Sequence, residues 1–532
     1  MTRFTQSQLS RLLLAWAVIF GALARLLPVI VAGMPINDGG LFYSMAADIQ
    51  AANFALPAFA TYNQAGIPFA YPPLGLYLAA FLGNVFPLLQ VIRWLPPLVS
   101  ILTIPAVFAL ARAVLSSELR AGIAAAAYAL LPAAYELTIM GGGLTRAFGL
   151  LFSTLTLLGV WQLFHRGTLR WMFITALFAA LTALSHPAAT VHTGMAAVLF
   201  WLFASRKREN FIAALGVAGL TLLLTAPWWG TVLARHGAAP FVNAMHTGGS
   251  WTSIFVPLLF LDFGHELFLE LIFLLAAIGT LWLIARRQYL IPLWTFTLFL
   301  AGRNAFLDAA VPAALAASFG VADVLWDGFR FPETFDAPQT RPETLKVFKT
   351  FRVLGGVSRG EKILAAFLLL YATFGALTYS LTINLHVTPP EQDALAWVAD
   401  HTPPDARFLL LTRGPALNTP VQEWFPALTE RVNIGVAQGY EWLPGNQFSQ
   451  RINDYDALQP CLTQNLACVE AWAAARGYEY DYLYVFRGEA GQETIHDGDM
   501  LWAGWILEDL NARSDYRLVY DTPLIRIFAK RP

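Results

Sequence analysis

Leu12–Val31 reads LLLAWAVIFGALARLLPVIV, an apolar run of about 20 residues, the length needed to cross a bilayer as a helix. Comparable runs recur as far as residue 385. Such runs leave few ways to fold, because backbone polar groups in lipid must pair within their own segment. Composition agrees: 57% of the chain is hydrophobic and 13% charged, against about 25% charged in soluble domains. The chain reads as a polytopic α-helical membrane protein. Its net charge of −1 gives no bulk attraction for nucleic acid. No small-residue cleavage site clearly follows the first run, so it reads as an anchor and not a removed leader.

Lys and Arg collect in cytoplasmic loops. The polar start with Arg3 and Arg11 is therefore expected in the cytoplasm, and the first helix delivers the chain outside near Pro28–Gly33. If Leu74–Phe86 lies on the outer face without spanning, every basic cluster falls inside: Arg112/Arg120, Arg166/Arg170, Arg206/Lys207/Arg208, Arg286/Arg287 and the loop 327–361. The expected spans are then 12–32, 91–113, 121–140, 147–164, 171–185, 190–204, 211–230, 266–285, 289–302, 308–326 and 362–385, about eleven in all. The odd count places the C-terminus outside, in a multi-pass protein of the plasma membrane with its N-terminus cytoplasmic.

Residues 1–385 form the transmembrane part on this reading, with an outer loop at 33–90 and a cytoplasmic loop at 327–361. From 386 to 532, charge, Asn, Gln and Pro return. Strand-like runs at 408–411, 480–486, 516–520 and 524–528 alternate with helical patterns at 391–401, 469–476 and 500–512, which predicts a small extracytoplasmic α/β domain. Cys461 and Cys468 would face an oxidising space, where a disulfide forms readily; two buried thiols are the alternative.

The stretch Asn37–Tyr77 carries the first acid of the chain, Asp38. An acid at the mouth of a membrane helix must be solvated, paired or used. Its surroundings are aromatic and small, as in a loop pressed onto a membrane surface. Asp38 is a candidate general base; before Gly39-Gly40 it is equally a candidate helix N-cap. Asp48 reads as a surface acid. Other polar residues gather at the same expected face: Glu136, Arg146, His186, His192, His246, Asp262/His265/Glu266 and Arg303. Glu136 is expected to bind a divalent cation (magnesium or manganese) with Asp38, to orient a sugar hydroxyl, or to pair with Arg146. Arg146 and Arg303 suit phosphate through the guanidinium fork; Asp308 is the structural alternative for Arg303. His186, before Pro187, is a substrate donor, a ligand or a packing residue. The spacing of Asp262, His265 and Glu266 matches no tight metal motif.

Three features together carry a resemblance: Asp38 in INDGGLFYSMA after the first helix, Tyr71-Pro72-Pro73-Leu74 opening an apolar helix, and the layout of spans followed by an outer domain. The segment EWFPALTER at 423–431 adds to it. The chain resembles membrane glycosyltransferases of the GT-C fold that use polyprenyl-phosphate sugars: protein mannosyltransferases, aminoarabinose transferases and oligosaccharyltransferases. The resemblance implies Asp38 as the catalytic acid, which would also hold a metal with Glu136. It implies Glu136 as a second acid and Arg303 as the phosphate holder; Arg146, His186 and Tyr71 complete the substrate-binding set expected from the sequence. It further implies a polyprenyl-phosphate-sugar donor and a protein, lipid or glycan acceptor. Two departures stand out. Gly39 follows the first Asp where protein mannosyltransferases have Glu, and Tyr71 precedes PPL where His, Lys or Glu is frequent. A flippase for lipid-linked intermediates would show broken helices in two related halves, which the sequence lacks. A non-catalytic membrane subunit of the same architecture stays open.

Overall fold

The computed structural model describes residues 5–32, 37–245, 265–301, 305–326, 359–383, 386–487 and 503–531. Helices α1 (Gln6–Ala32), α2 (Gly39–Ala51), α3 (Leu74–Leu82), α4 (Leu88–Leu115), α5 (Glu118–Leu130), α6 (Glu136–Ile139), α7 (Gly143–Arg166), α8 (Leu169–Ala183), α9 (Pro187–Phe200), α10 (Arg208–His236), α11 (Ala239–Met245), α12 (Leu271–Ala285), α13 (Leu290–Ala301), α14 (Ala305–Phe319) and α15 (Arg359–Thr382) build the first part. Among the described residues, seven helices are long and apolar enough to cross a membrane, and the segments 169–183, 271–285 and 290–300 are shorter apolar helices.

Each expected span has a helix at its place, with two corrections. The span expected at 121–140 is not continuous. Pro132 forces Leu131 into extended backbone (φ −83°, ψ 116°), since the ring of a proline clashes with a helical predecessor. The chain turns there and restarts as the short α6. The span expected from 266 begins at Leu271, because Glu266 turns back to accept the amides of Ile272 and Phe273. Leu74–Leu82, at nine residues, is too short to span, as expected.

Charged residues inside the helical body are stitched to several helices at once. Arg25 on α1 is fully buried and donates to Ser100 Oγ on α4 and to the carbonyls of Gly21 and Ala129. Its guanidinium lies 4.9 Å from the Tyr135 ring centroid. His192 on α9 and Asp308 on α14 pair at 2.5 Å with both side chains buried.

The C-terminal region holds α16 (Pro389–His401), α17 (Pro420–Thr429), α18 (Gln447–Leu458), α19 (Leu466–Arg476) and α20 (Gly504–Ala512) around a five-stranded sheet. With β1 (Phe59–Ala60) and β2 (Ile67–Pro68) forming a separate hairpin, the sheet strands are β3 (Arg407–Leu411), β4 (Val432–Asn433), β5 (Tyr482–Phe486), β6 (Tyr516–Asp521) and β7 (Ile525–Lys530), in the order β4-β3-β5-β7-β6. β3 runs parallel to β4 and β5, while β7 is antiparallel to β5 and β6. Alternate residues face opposite sides of a strand. Phe408 and Leu410 accordingly pack with Val398, Trp424 and Phe425. Leu409 and Leu411 pack with Leu458, Val469 and Leu510 on the other face. A strand covered on both faces reads as an unbroken apolar run, which is why FLLL and YLYVF stand out. Cys461 and Cys468 are joined by a disulfide, with Cα atoms 5.4 Å apart.

The stretch 37–77 was expected against lipid. Many of its apolar residues are covered by protein instead: Leu41, Phe42, Tyr62, Ile67, Phe69 and Tyr71 share one core with Val436, Tyr440 and Trp442 of the C-terminal region, while Phe54 and Phe59 stay exposed. Asn63 extends the sheet edge, accepting the Asn433 amide at 2.7 Å and donating to the Asn433 carbonyl at 3.1 Å. This double contact fixes the stretch against the edge strand β4.

Candidate active site

Asn37 and Asp38 follow one another in the left-handed region, at φ 64° and φ 72°. Asn and Asp tolerate this conformation better than other side chains, but two in succession need surroundings that hold them. The holding group is Glu423 at the start of α17. Its Oε2 accepts the Asn37 amide at 2.8 Å and its Oε1 accepts the Gly40 amide at 3.1 Å. The first amides of a helix need acceptors from outside it; the Gly40 amide finds one 383 residues further along the chain, and the same carboxylate takes the Asn37 amide just before the helix. Gly40 permits the approach, because a Cβ there would stand 2.5 Å from the Glu423 carbonyl oxygen.

This division of labour decides between the two readings of Asp38. Although it occupies the N-cap position of α2, its side chain makes no capping hydrogen bond. The carboxylate turns to Arg146 on α7, with Oδ2 3.2 Å from Nη2. Arg146 Nη1 donates to Asn37 Oδ1 at 2.7 Å, and the Gly142 amide donates to the Asn37 carbonyl. Both side chains of the ion pair keep some exposure, 14% for Arg146 and 18% for Asp38, so the pair faces an opening. A Cβ at Gly142 would fall 2.0 Å from Arg146 Nη1, which explains one of the three successive glycines.

Glu136 takes other partners. Its Oε2 accepts from His265 Nδ1 at 2.6 Å and from Tyr379 Oη on α15 at 2.7 Å. It lies at the same end of the helical body as Asp38, since the turn after α6 is bonded to Asn37 through Gly142. Neither Asp38 nor Arg146 is its partner. The remaining residues named from sequence are dispersed. His186 is buried and caps α9, accepting the Ala189 amide through Nδ1 at 3.3 Å. Tyr71 is buried between Phe42 and Trp442, at ring separations of 4.8 and 5.0 Å. Asp48 accepts the amide and hydroxyl of Thr61. Asp308 serves His192. Arg303, His246 and Asp262 lie outside the described residues. Among the described residues, no three His, Cys, Asp or Glu side chains come together to hold a metal ion.

Sequence reasoning missed Glu423 as a site residue. The one signal was an acid within the apolar pattern of EWFPAL. Complete burial, reinforced by the nearby Asp38 charge, pushes the Glu423 carboxyl up to about 8, while the backbone amides it accepts pull the other way. A carboxyl whose pKa rises on folding binds its proton more tightly in the folded chain. The stability it lends is complete below the ordinary carboxylate range and is lost as pH rises through about 8. Melting midpoints are therefore expected to fall by several degrees between about pH 6 and about pH 9. Glu423→Gln should flatten that dependence, and an equal slope in the variant would assign it to other groups.

An apolar cavity of about 500 Å³ opens among α7, α8, α9 and α10, lined by Val160, Leu163, Ala197, Leu215 and Leu222. Its lining on α7 starts at Thr156, about 15 Å along the helix from Arg146.

No protein-family model matches the sequence, and a search among curated proteins gives no match. Solved structures do match. The Archaeoglobus fulgidus oligosaccharyltransferase, crystallised in complex with zinc and sulfate, aligns at TM-score 0.62 and 16% identity over 98% of this chain and 73% of its own. ArnT from Cupriavidus metallidurans, bound to undecaprenyl phosphate, aligns at TM-score 0.54 and 15% identity over 97% of this chain and 98% of its own. At such low identity the shared property is the architecture, a polytopic helical body followed by a mixed α/β region, and the chain has the GT-C fold.

Proposed function

We propose that the protein is a membrane glycosyltransferase that moves a sugar from a polyprenyl-phosphate donor to an acceptor on the extracytoplasmic side, with Asp38 as base. The observation that carries this reading is the Asp38 carboxylate, relieved of helix capping by Glu423 and presented at an opening beside Arg146. Asp38 takes the proton of an acceptor hydroxyl or amide. The freed oxygen or nitrogen bonds to the anomeric carbon as the bond from that carbon to the phosphate oxygen breaks, through an oxocarbenium-like state. Polyprenyl phosphate departs with the electron pair. Arg146 orients Asp38 and offers positive charge to the leaving phosphate; a similar role for Arg303 rests on the sequence alone.

The fold shared with ArnT, whose structure holds undecaprenyl phosphate, supports a polyprenyl carrier, as does the apolar cavity among α7–α10. The basic residues Arg112, Arg166, Arg170, Arg206 and Arg208 all adjoin the helix ends remote from Asp38, which supports an extracytoplasmic site by the positive-inside bias. The division into a transmembrane part (1–385) and an extracytoplasmic part (386–532) belongs to the same reading. Oxygen ligands of the Asp38 and Glu136 kind suit magnesium or manganese. The described acids do not assemble as a metal centre, however. Asp38 already meets a guanidinium and Glu136 serves His265 and Tyr379, so no step is drawn through a cation.

Mass spectrometry of surface glycans and lipid-linked sugars, with and without the gene, tests the proposal. Loss of one glycan with accumulation of one polyprenyl-phosphate sugar is expected. Identical profiles would remove the reading.

A further inference from the structure

The apolar cavity among α7, α8, α9 and α10 extends along α7 from Thr156 to Phe164, toward the helix end remote from Asp38. Along α10 its lining runs from Phe211 to Leu222. That is about 16 Å at the rise of an α-helix, close to the ~15 Å that one leaflet contributes to a bilayer core. Val198, Phe211, Leu215 and Leu222 line the cavity and are exposed, so it opens sideways, where lipid stands. α10 has little else to pack on: it buries only Asn210, Val217, Thr225 and Val232 of its 29 residues.

Hydrogen bonds gather positive charge at that end. Trp201, in the lining, donates from Nε1 to the Lys207 carbonyl at 3.1 Å. Asn210 Nδ2 donates to the carbonyl of Phe164, another lining residue, at 2.8 Å and to Ser205 Oγ. The loop after α7 and the loop before α10 therefore meet at the cavity mouth. They carry Arg166, Arg170, Arg206, Lys207 and Arg208 against one acid, Glu209. The other basic loop at this end of the body is different: Arg112 pairs with Glu118 at 3.0 Å and Arg120 with Asp323 at 2.6 Å. Among the described residues no carboxylate pairs with Arg166, Lys207 or Arg208. The positive-inside bias puts cations on any loop of this end, but it does not require them to stand without carboxylates around an apolar opening.

An apolar opening one leaflet deep, under a rim of cations, matches a lipid with a long acyl chain and a negative headgroup. We propose that the cavity seats one acyl chain of an anionic phospholipid from the leaflet at this end, with Arg166, Lys207 and Arg208 around its phosphate. The phosphate oxygens accept the guanidinium and ammonium donors, and the chain supplies α10 with the packing that the protein does not. A zwitterionic headgroup suits the rim less well, since it brings a positive charge back to it. Asp38 and Arg146 lie toward the opposite end, so this lipid site is independent of the function proposed above. The fold shared with ArnT supports a polyprenyl carrier whichever lipid fills this cavity.

Native mass spectrometry and melting curves of the full chain in detergent test the site. Dioleoylphosphatidylglycerol is the probe, with dioleoylphosphatidylcholine and a polyprenyl phosphate as comparisons. The phosphatidylglycerol is expected to bind about tenfold more tightly than the phosphatidylcholine and to raise the melting midpoint by several degrees. Lys207→Gln/Arg208→Gln, at two exposed positions, should weaken its binding about 30-fold, roughly fivefold for each cation removed. Arg286→Gln/Arg287→Gln removes equal charge from a loop that does not line the cavity, and should bind the lipid as the parent does. Gly194 lines the cavity, and a Cβ there meets nothing within 4 Å. Gly194→Phe therefore fills the space without displacing protein, and should weaken binding about tenfold. Equal affinity for the two phospholipids, equal loss in both double variants, unchanged binding in Gly194→Phe, or one-for-one displacement by the polyprenyl phosphate would overturn the proposal. Unchanged glycans on gene deletion alongside intact phosphatidylglycerol binding would sink the transferase reading and leave the lipid site standing.

Discussion

Asp38→Asn is expected to lower sugar transfer by about 10²–10⁴-fold, the range that a positioned general base supplies, with little change in melting midpoint. The structural cost should be small for three reasons. The side chain caps no helix. Asn retains the tolerance of the left-handed backbone that φ 72° demands. Arg146 stays anchored through Asn37 Oδ1 at 2.7 Å. The substitution thus removes the proposed proton acceptor and leaves its frame. Assays of purified variants with a lipid-linked sugar, beside melting curves, read both quantities. Full turnover in the variant would take Asp38 out of the mechanism. Lost turnover with a collapsed melting midpoint would make it a structural residue.

Arg146→Ala should reduce turnover by about 10²–10³-fold, the scale on which a preorganised donor to developing charge acts. It should also lower stability, unlike Asp38→Asn. The guanidinium bonds Asn37 and Asp38 together, and removing it leaves a half-buried carboxylate without its counter-charge, a change that is costly wherever a pair is shielded. Arg146→Lys separates the two functions. Lysine keeps the charge but cannot reach two acceptors with a planar fork, so stability should recover more than turnover. Equal recovery of both would reduce Arg146 to a charge partner. Measuring turnover at saturating donor and saturating acceptor separately shows whether the loss lies in binding or in the chemical step.

The helical body was legible in the sequence because lipid demands long apolar runs, and each run left its mark. It failed locally at residue 131, where hydropathy continues through a proline that the backbone cannot. In the C-terminal region β3 and β5 were legible as apolar runs buried on both faces. Helices α17 and α18 were not. Pro426 interrupts the first, and QFSQRINDYDAL buries only Tyr455 and Leu458, too few to mark a helix face. In the site, Asp38 was visible as a lone acid at a helix mouth. Its partner was not, since a contact between residues 38 and 146 leaves no periodic trace. The pairings of Glu136 with His265 and of Asp308 with His192 are hidden for the same reason. Glu423 is the sharpest case: the aromatic look of 37–77 suggested a lipid contact, while the true cover was a chain segment nearly four hundred residues away.

The hold of Glu423 on the Asn37 and Gly40 amides sets a condition on biosynthesis. While a ribosome has yet to translate residue 423, the bundle of early helices can already sit in the bilayer, but the turn carrying Asp38, though it can meet Arg146, lacks the carboxylate that accepts its Asn37 and Gly40 amides. The full hold on the Asp38 turn therefore arrives late, with the last fifth or so of the polypeptide, so a product terminated before residue 423 is expected to enter the membrane without the activity proposed above.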